Sequence, residues 1–164
     1  MTTFTTHNDS MEAVAAPRDE VWAAMADPAL LAELTPLVDR IEAVDGHWRW
    51  CLASIEAMGV SIAPCFTVAM TFDEPERITF EHDPPAGSTE PAGATGYYDL
   101  VAFDGGTVLD IDMTMHVDLP LPKIARGAVE GIMARTTQLH GDRFFKNLLD
   151  HLGTERVPVP TAVA

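Results

Sequence analysis

Residues 108–117 read Val-Leu-Asp-Ile-Asp-Met-Thr-Met-His-Val, and the fold turns on this stretch and on the segment after it. Leu109, Ile111, Met113, Met115 and Val117 alternate with Asp110, Asp112, Thr114, His116 and Asp118. Side chains of a strand point to opposite faces in turn, so one face is apolar and the other is wet. After Leu119-Pro120-Leu121-Pro122 the period changes. Lys123 to Leu152 reads as one long helix of roughly 45 Å at ~1.5 Å per residue, with Gly153 as a natural stop. Ile124, Ala128, Ile132, Leu139 and Phe145 fall near one stripe, which is the side expected to meet the sheet.

Upstream, strand signals come in series. Tyr97–Phe103 forms a hairpin with the 108–117 strand around Asp104-Gly105-Gly106. Arg77–His82 sets Ile78, Phe80 and His82 against Arg77, Thr79 and Glu81. Cys65–Phe72 places Phe66, Val68, Met70 and Phe72 on one side, and His47–Ile55 alternates Trp48, Trp50 and Leu52 with His47 and Arg49. Val38–Val44 is another strand, and Phe4–Ala15 is a first one with weak alternation. Between these last two, Ala16-Pro17 and Asp27-Pro28 open two short helices. Pro84–Ala94, rich in Pro, Gly and Ala, reads as a mobile loop.

Strands joined by short turns make an antiparallel meander, and a sheet with one apolar face needs a cover. The expectation is an α+β helix-grip fold. A curved seven-stranded antiparallel sheet wraps one long C-terminal helix, with two short helices after strand 1 and an apolar pocket where the curve is widest. Residues 1–153 form the single domain and 154–164 a flexible tail.

The chain has 164 residues, 25 acidic and 10 basic, for a formal net charge of −15. Phosphate recognition needs Lys and Arg, so no nucleic-acid partner is expected. An anionic membrane surface repels such a chain, and no apolar run approaches the ~20 residues of a membrane span, so stable membrane insertion is not expected either. Residues 1–10 are polar without Lys or Arg and do not read as a signal peptide. With two cysteines, Cys51 and Cys65, cytoplasmic residence and free thiols are the default. The two would face each other if the intervening turn centres on Met58. Nothing calls for a cofactor or indicates an oligomeric state.

The segment Glu12-Ala13-Val14-Ala15-Ala16-Pro17-Arg18-Asp19-Glu20-Val21-Trp22, followed by Asp27-Pro28 and Pro36, resembles the opening of START-like proteins. This is the SRPBCC superfamily of polyketide cyclases, birch-pollen-allergen-like proteins and lipid-transfer domains. Gly96, Gly105-Gly106-Thr107 and Phe145-Lys146-Asn147-Leu148 extend the likeness over about Phe4 to Gly153. The resemblance implies apolar ligand binding and, in some branches, cyclisation or dehydration. It carries no shared catalytic residues.

The pocket lining expected from alternation is Trp48, Trp50, Phe66, Val68, Met70, Ile78, Phe80, His82, Tyr98, Leu100, Ile111, Met113 and Met115, with Ala128, Gly131 and Ile132 from the helix. Gly131 is read as leaving room beside a ligand, so that Gly131→Leu would block binding. No catalytic residue is assigned; His82, at a strand end, and Asp99 are the two candidates. Asp99 depends on register. A two-residue turn at Asp104-Gly105 sets Phe103 opposite Gly106, turns Tyr98 and Leu100 inward and leaves Asp99 in water. A three-residue loop turns Tyr97 and Asp99 inward instead, where the carboxyl would be desolvated. Tyr97, Tyr98 and, in another register, Thr114 could orient a ligand. The row Asp110, Asp112, His116 and Asp118 offers oxygen ligands, but residues two apart on a strand are ~7 Å apart, too far to share one ion, so no metal site is assigned. Three classes remain open: a binding module for a lipid, quinone or polyketide-like molecule; a cyclase or dehydratase; and an accessory protein with a filled cavity.

Overall fold

The computed structural model describes residues 1–57 and 59–163. The long first strand β1 (Thr2–Val14) is followed by helices α1 (Arg18–Met25) and α2 (Pro28–Leu34). Pro17 precedes α1, and Asp19 and Glu20 occupy its first turn, where the helix dipole favours negative charge. Asp27 caps α2, accepting from the amides of Ala29 and Leu30 at 3.0 and 3.1 Å.

Strands β2 (Val38–Val44), β3 (His47–Leu52), β4 (Ile55–Ala57), β5 (Val60–Ile62), β6 (Cys65–Asp73), β7 (Arg77–His82), β8 (Ala92–Phe103) and β9 (Gly106–Leu119) then run in sequence. A 3-10 turn (Lys123–Ala125) leads into helix α3 (Arg126–Leu152), and β10 (Arg156–Val157) ends the chain's regular structure. The main sheet is antiparallel, in the order β10-β1-β9-β8-β7-β6-β3-β2, while β4 and β5 form a separate two-stranded ribbon. The helix-grip expectation holds, with eight strands in the main sheet instead of seven.

Three differences have physical causes. The eighth strand comes from the segment expected to fray. Gly153 adopts the left-handed conformation (φ 62°) that ends α3 and turns the chain back, so that Arg156 and Val157 pair with Val14 and Ala13. The Arg156 guanidinium lies 4.8 Å from the Phe145 ring centroid and 3.5 Å from Glu12. Pro84–Ala94 is a loop only to Pro91, because Ala92 already pairs with Val117. Cys51 and Cys65, expected as free thiols, are directly opposed across β3 and β6 and form a disulfide. Met58, the residue on which that turn was centred, lies outside the described residues.

The hairpin register resolves Asp99. Phe103 pairs with Gly106 across a two-residue turn, so Tyr98 and Leu100 are buried and Asp99 is half-exposed on the convex side. Gly106 needs its glycine. Its φ is +146°, and a Cβ there would overlap the Val14 carbonyl oxygen.

Helix α3 turns a different side to the sheet than the sequence stripe suggested. Val129, Phe144, Phe145 and Leu148 are buried. Ile124 is 93% exposed, Ile132 44% and Leu139 51%, and Ala128 and Gly131 are exposed as well. The helix rests in two places. Its C-terminal part joins the main core through Phe144, Phe145 and Leu148. Its start joins a second cluster made by Phe4, Leu119, Ala125 and Val129.

Candidate functional site: a groove between sheet and helix

Between those two anchors α3 is not sealed onto the sheet. Its inward side there carries Met133, Thr136, Thr137 and His140, all half-buried. The apolar face of the sheet contributes Ile111, Met113 and Met115 of β9, Met70 of β6 and Trp50 of β3, which pack on the core yet keep accessible surface. The inner face of β1 adds a polar row. Thr6, Asn8 and Ser10 stand opposite Met115, Met113 and Ile111, and opposed residues share a face. The inner face of the sheet under this part of α3 thus carries a partly accessible apolar strip bordered by a polar row.

Beneath the floor the packing is tight. Trp48, Phe66, Val68, Ile78, Phe80, Tyr98 and Leu100 are each at most 7% exposed. These expected lining residues therefore support the groove more than they line it. Trp50 and Phe66 are stacked with ring planes 2° apart, which fixes the half-buried indole. Tyr98 lies 5.1 Å from Phe80, and burial pushes its phenol well above the usual range, so it stays a neutral donor. The Tyr98 hydroxyl makes no hydrogen bond to a described residue, and Tyr98 lies within the buried core.

Several expected site residues lie elsewhere. Asp99 is paired with the Arg77 guanidinium, and Tyr97 stacks under that guanidinium at 4.4 Å, both on the convex face. Thr114 sits there too, opposite His7 and Thr95. Ala128, Gly131 and Ile132 are on the solvent side of α3. A Cβ on Gly131 would meet nothing within 4 Å, so Gly131→Leu has no ligand space to fill.

His82 is turned away from the expected inner face. β7 pairs with β8 only as far as Phe80 and Gly96, and beyond that the strands part. The ring swings to the convex side, where it meets the His116 ring edge-on at 4.9 Å and its Nε2 hydrogen-bonds a Glu90 carboxylate oxygen at 3.2 Å. Glu90 also accepts from the Thr67 amide at 2.7 Å and the Thr67 hydroxyl at 2.8 Å, tying the 83–91 loop to β6. Gly93 makes this possible, since a Cβ there would overlap both imidazoles. Sequence reasoning missed Glu90, because nothing in a Pro-rich loop signals a carboxylate folded back onto a strand.

The outer row of β9 is solvated and partly paired, Asp112 with His7 at 3.1 Å and Asp118 with Thr3. Among the described residues no group of His, Cys, Asp and Glu is arranged to hold a metal. Burial, and then the carboxylates of Asp99, Asp112 and Asp9, push the Asp110 carboxyl above its usual range, against the pull of Arg77. A carboxyl whose folded pKa is raised holds its proton more tightly when folded. Its contribution is present below the unfolded pKa of about 4 and is lost as pH rises through the raised value. Asp110→Asn is therefore expected to raise Tm near neutral pH, with the advantage vanishing in acid. Equal melting curves for both proteins at all pH values would remove this account of the row.

An antiparallel sheet with a long C-terminal helix packed on its apolar face defines a helix-grip domain. The chain belongs to the family described as polyketide cyclase / dehydrase and lipid transport, which matches residues 5–152. Solved structures agree in fold. The Zhui aromatase/cyclase from Streptomyces sp. R1128 is 16% identical, with 91% of this chain and 94% of that one covered and a TM-score of 0.66. A START superfamily protein from Mycobacterium smegmatis is 16% identical, with 90% and 96% covered and a TM-score of 0.63. The di-domain aromatase/cyclase StfQ of steffimycin biosynthesis is 13% identical, with 92% of this chain covering 51% of that one and a TM-score of 0.62. No curated protein matches the sequence. Among the described residues no helix is long and apolar enough to cross a membrane.

Proposed function

We propose that this protein binds a small, flat, oxygen-bearing apolar molecule, of the lipid, quinone or polyketide-like kind, in the groove between the sheet and α3. The observation that carries this reading is the half-buried row Trp50, Met70, Ile111, Met113 and Met115 bordered by the polar row of β1. Apolar surface left accessible inside a fold gains by being covered, and one or two polar groups then set orientation. The family description and the aromatase/cyclase fold relatives support the same ligand class.

Conversion of the ligand is the second reading, and one residue favours it. His140 sits on the groove side of α3, and burial, with help from Arg143, lowers its pKa. A neutral imidazole beside a bound carbonyl compound is a competent base.

Native mass spectrometry of freshly purified protein, followed by solvent extraction, tests the proposal. A retained apolar species is the expected result, and its recovery unchanged after incubation would leave binding without turnover. A single unliganded mass that retains no added lipid, quinone or polyketide would reject the groove as a binding site and point to an accessory role.

A further inference from the structure

The β4–β5 ribbon is rooted on one side of the sheet and lands on the other. It leaves the sheet between β3 and β6, near the β2 edge. Val60 and Ile62 nevertheless pack on the cluster of Phe4, Leu119, Ala125 and Val129, together with Leu121 and Met133. Those residues belong to β1, β9, the 3-10 turn and the start of α3. The ribbon thus spans the end of the groove beneath the first turns of α3, joining the two flanks of the curved sheet.

The root of this span is held by backbone hydrogen bonds on both sides. Leu52 pairs with Val38 and Cys51 with Cys65. The Ala53 amide donates to the Leu37 carbonyl at 2.8 Å, the Leu52 amide donates to the Pro64 carbonyl at 2.9 Å, and the hydroxyls of Ser54 and Ser61 meet at 2.8 Å. The ribbon itself has three residue pairs, too few to be stable alone. The covalent tie at its base is the Cys51–Cys65 disulfide.

We propose that this disulfide is a redox latch: oxidised, it holds the β4–β5 ribbon across the groove end, and reduced, it lets the ribbon lift and admit or release the ligand. The chemistry is thiol–disulfide exchange with a dithiol reductant. Cys51 is 2% exposed whereas Cys65 is half-buried, so the incoming thiolate attacks Cys65 Sγ and Cys51 leaves as thiolate. The second thiol of the reductant, as thiolate, then attacks its own sulfur in the mixed disulfide and displaces Cys65. Two electrons and two protons pass to the protein, giving two thiols, and the reductant becomes a disulfide. Breaking the bond removes the covalent tie, leaving the root on its backbone hydrogen bonds and Val60 and Ile62 on their apolar contacts.

The gating half of this inference rests on the groove-binding reading, and the experiment separates the two. Hydrogen exchange at Val60–Ile62 and the association rate of Nile red, a neutral apolar probe, are measured on three samples. These are the oxidised protein, the dithiothreitol-reduced protein and the Cys51→Ser/Cys65→Ser double variant without reductant. Exchange about tenfold faster or more, with faster Nile red association, is expected in the reduced protein and the double variant alike. Exchange that ignores redox state overturns the latch, and so do equal association rates in all three samples. Redox-dependent exchange with no Nile red bound by any sample keeps the ribbon release and overturns the groove reading instead.

Discussion

Leu148→Ala is expected to destabilise the protein by about 3 kcal/mol, since truncating a buried leucine costs ~2–5 kcal/mol. For a chain of this size that is a fall in Tm of roughly 6–12 °C. Leu148 is 0% exposed and belongs to the main core with Phe144 and Phe145. Its removal opens a void at the place where α3 grips the sheet. Ile132→Ala, sixteen positions earlier on the same helix, is expected to change stability by less than about 0.5 kcal/mol, because Ile132 faces water. Thermal melts of the two variants would decide which side of α3 is the sheet side. Comparable losses in both would overturn this orientation of the helix.

That contrast explains why the helix was legible and its phase was not. Existence and length follow from a change of period after Pro122 and a stop at Gly153. Phase requires choosing among stripes, and of the stripe read from sequence Ile124, Ala128, Ile132 and Leu139 face outward while Phe145 alone is buried. The inner stripe is interrupted by Thr136, Thr137 and His140, because that part of the helix faces a groove. Half-buried polar residues thus hid the packing surface from a rule that equates apolar with buried.

The second large effect concerns binding. Met113→Trp is expected to weaken retention of Nile red or the co-purified species by about a hundredfold, roughly 2.8 kcal/mol. Met113 sits at the middle of the groove floor, opposite Asn8, and an indole there occupies the volume a ligand would take. Thr114→Trp, one residue on and facing outward, is expected to bind as the unaltered protein does. Fluorescence titration checks both. Equal affinities for the two variants would place the ligand somewhere other than this groove.

The floor of that groove was readable because β9 alternates without a fault over ten residues, and the short turn at Asp104-Gly105 settles which way Asp99 points. Other parts depend on contacts distant in sequence. His82 keeps its expected strand but changes side where β7 loses its neighbour, and Glu90 and Thr67 meet across 23 positions. The polar wall of Thr6, Asn8 and Ser10 looked like a weakly patterned strand. Its pattern is regular once β9 is set beside it.

The manner in which the sheet ends has a consequence for how this molecule behaves in company. A free strand edge is a template on which another chain can add a strand. On one side the outermost strand is β10, two residues long and followed by Pro158 and Pro160, which have no amide hydrogen to offer. On the other side β2 is irregular between Val38 and Arg40 and carries Asp39, Arg40 and Glu42 on exposed positions. The β2 border is therefore a poor zipper, whereas β10 covers only Ala13 and Val14 of β1, and β1 from Thr2 to Glu12 has no strand beyond it among the described residues. If a partner strand adds to this sheet, the open length of β1 is where its backbone meets donors and acceptors left free of strand pairing.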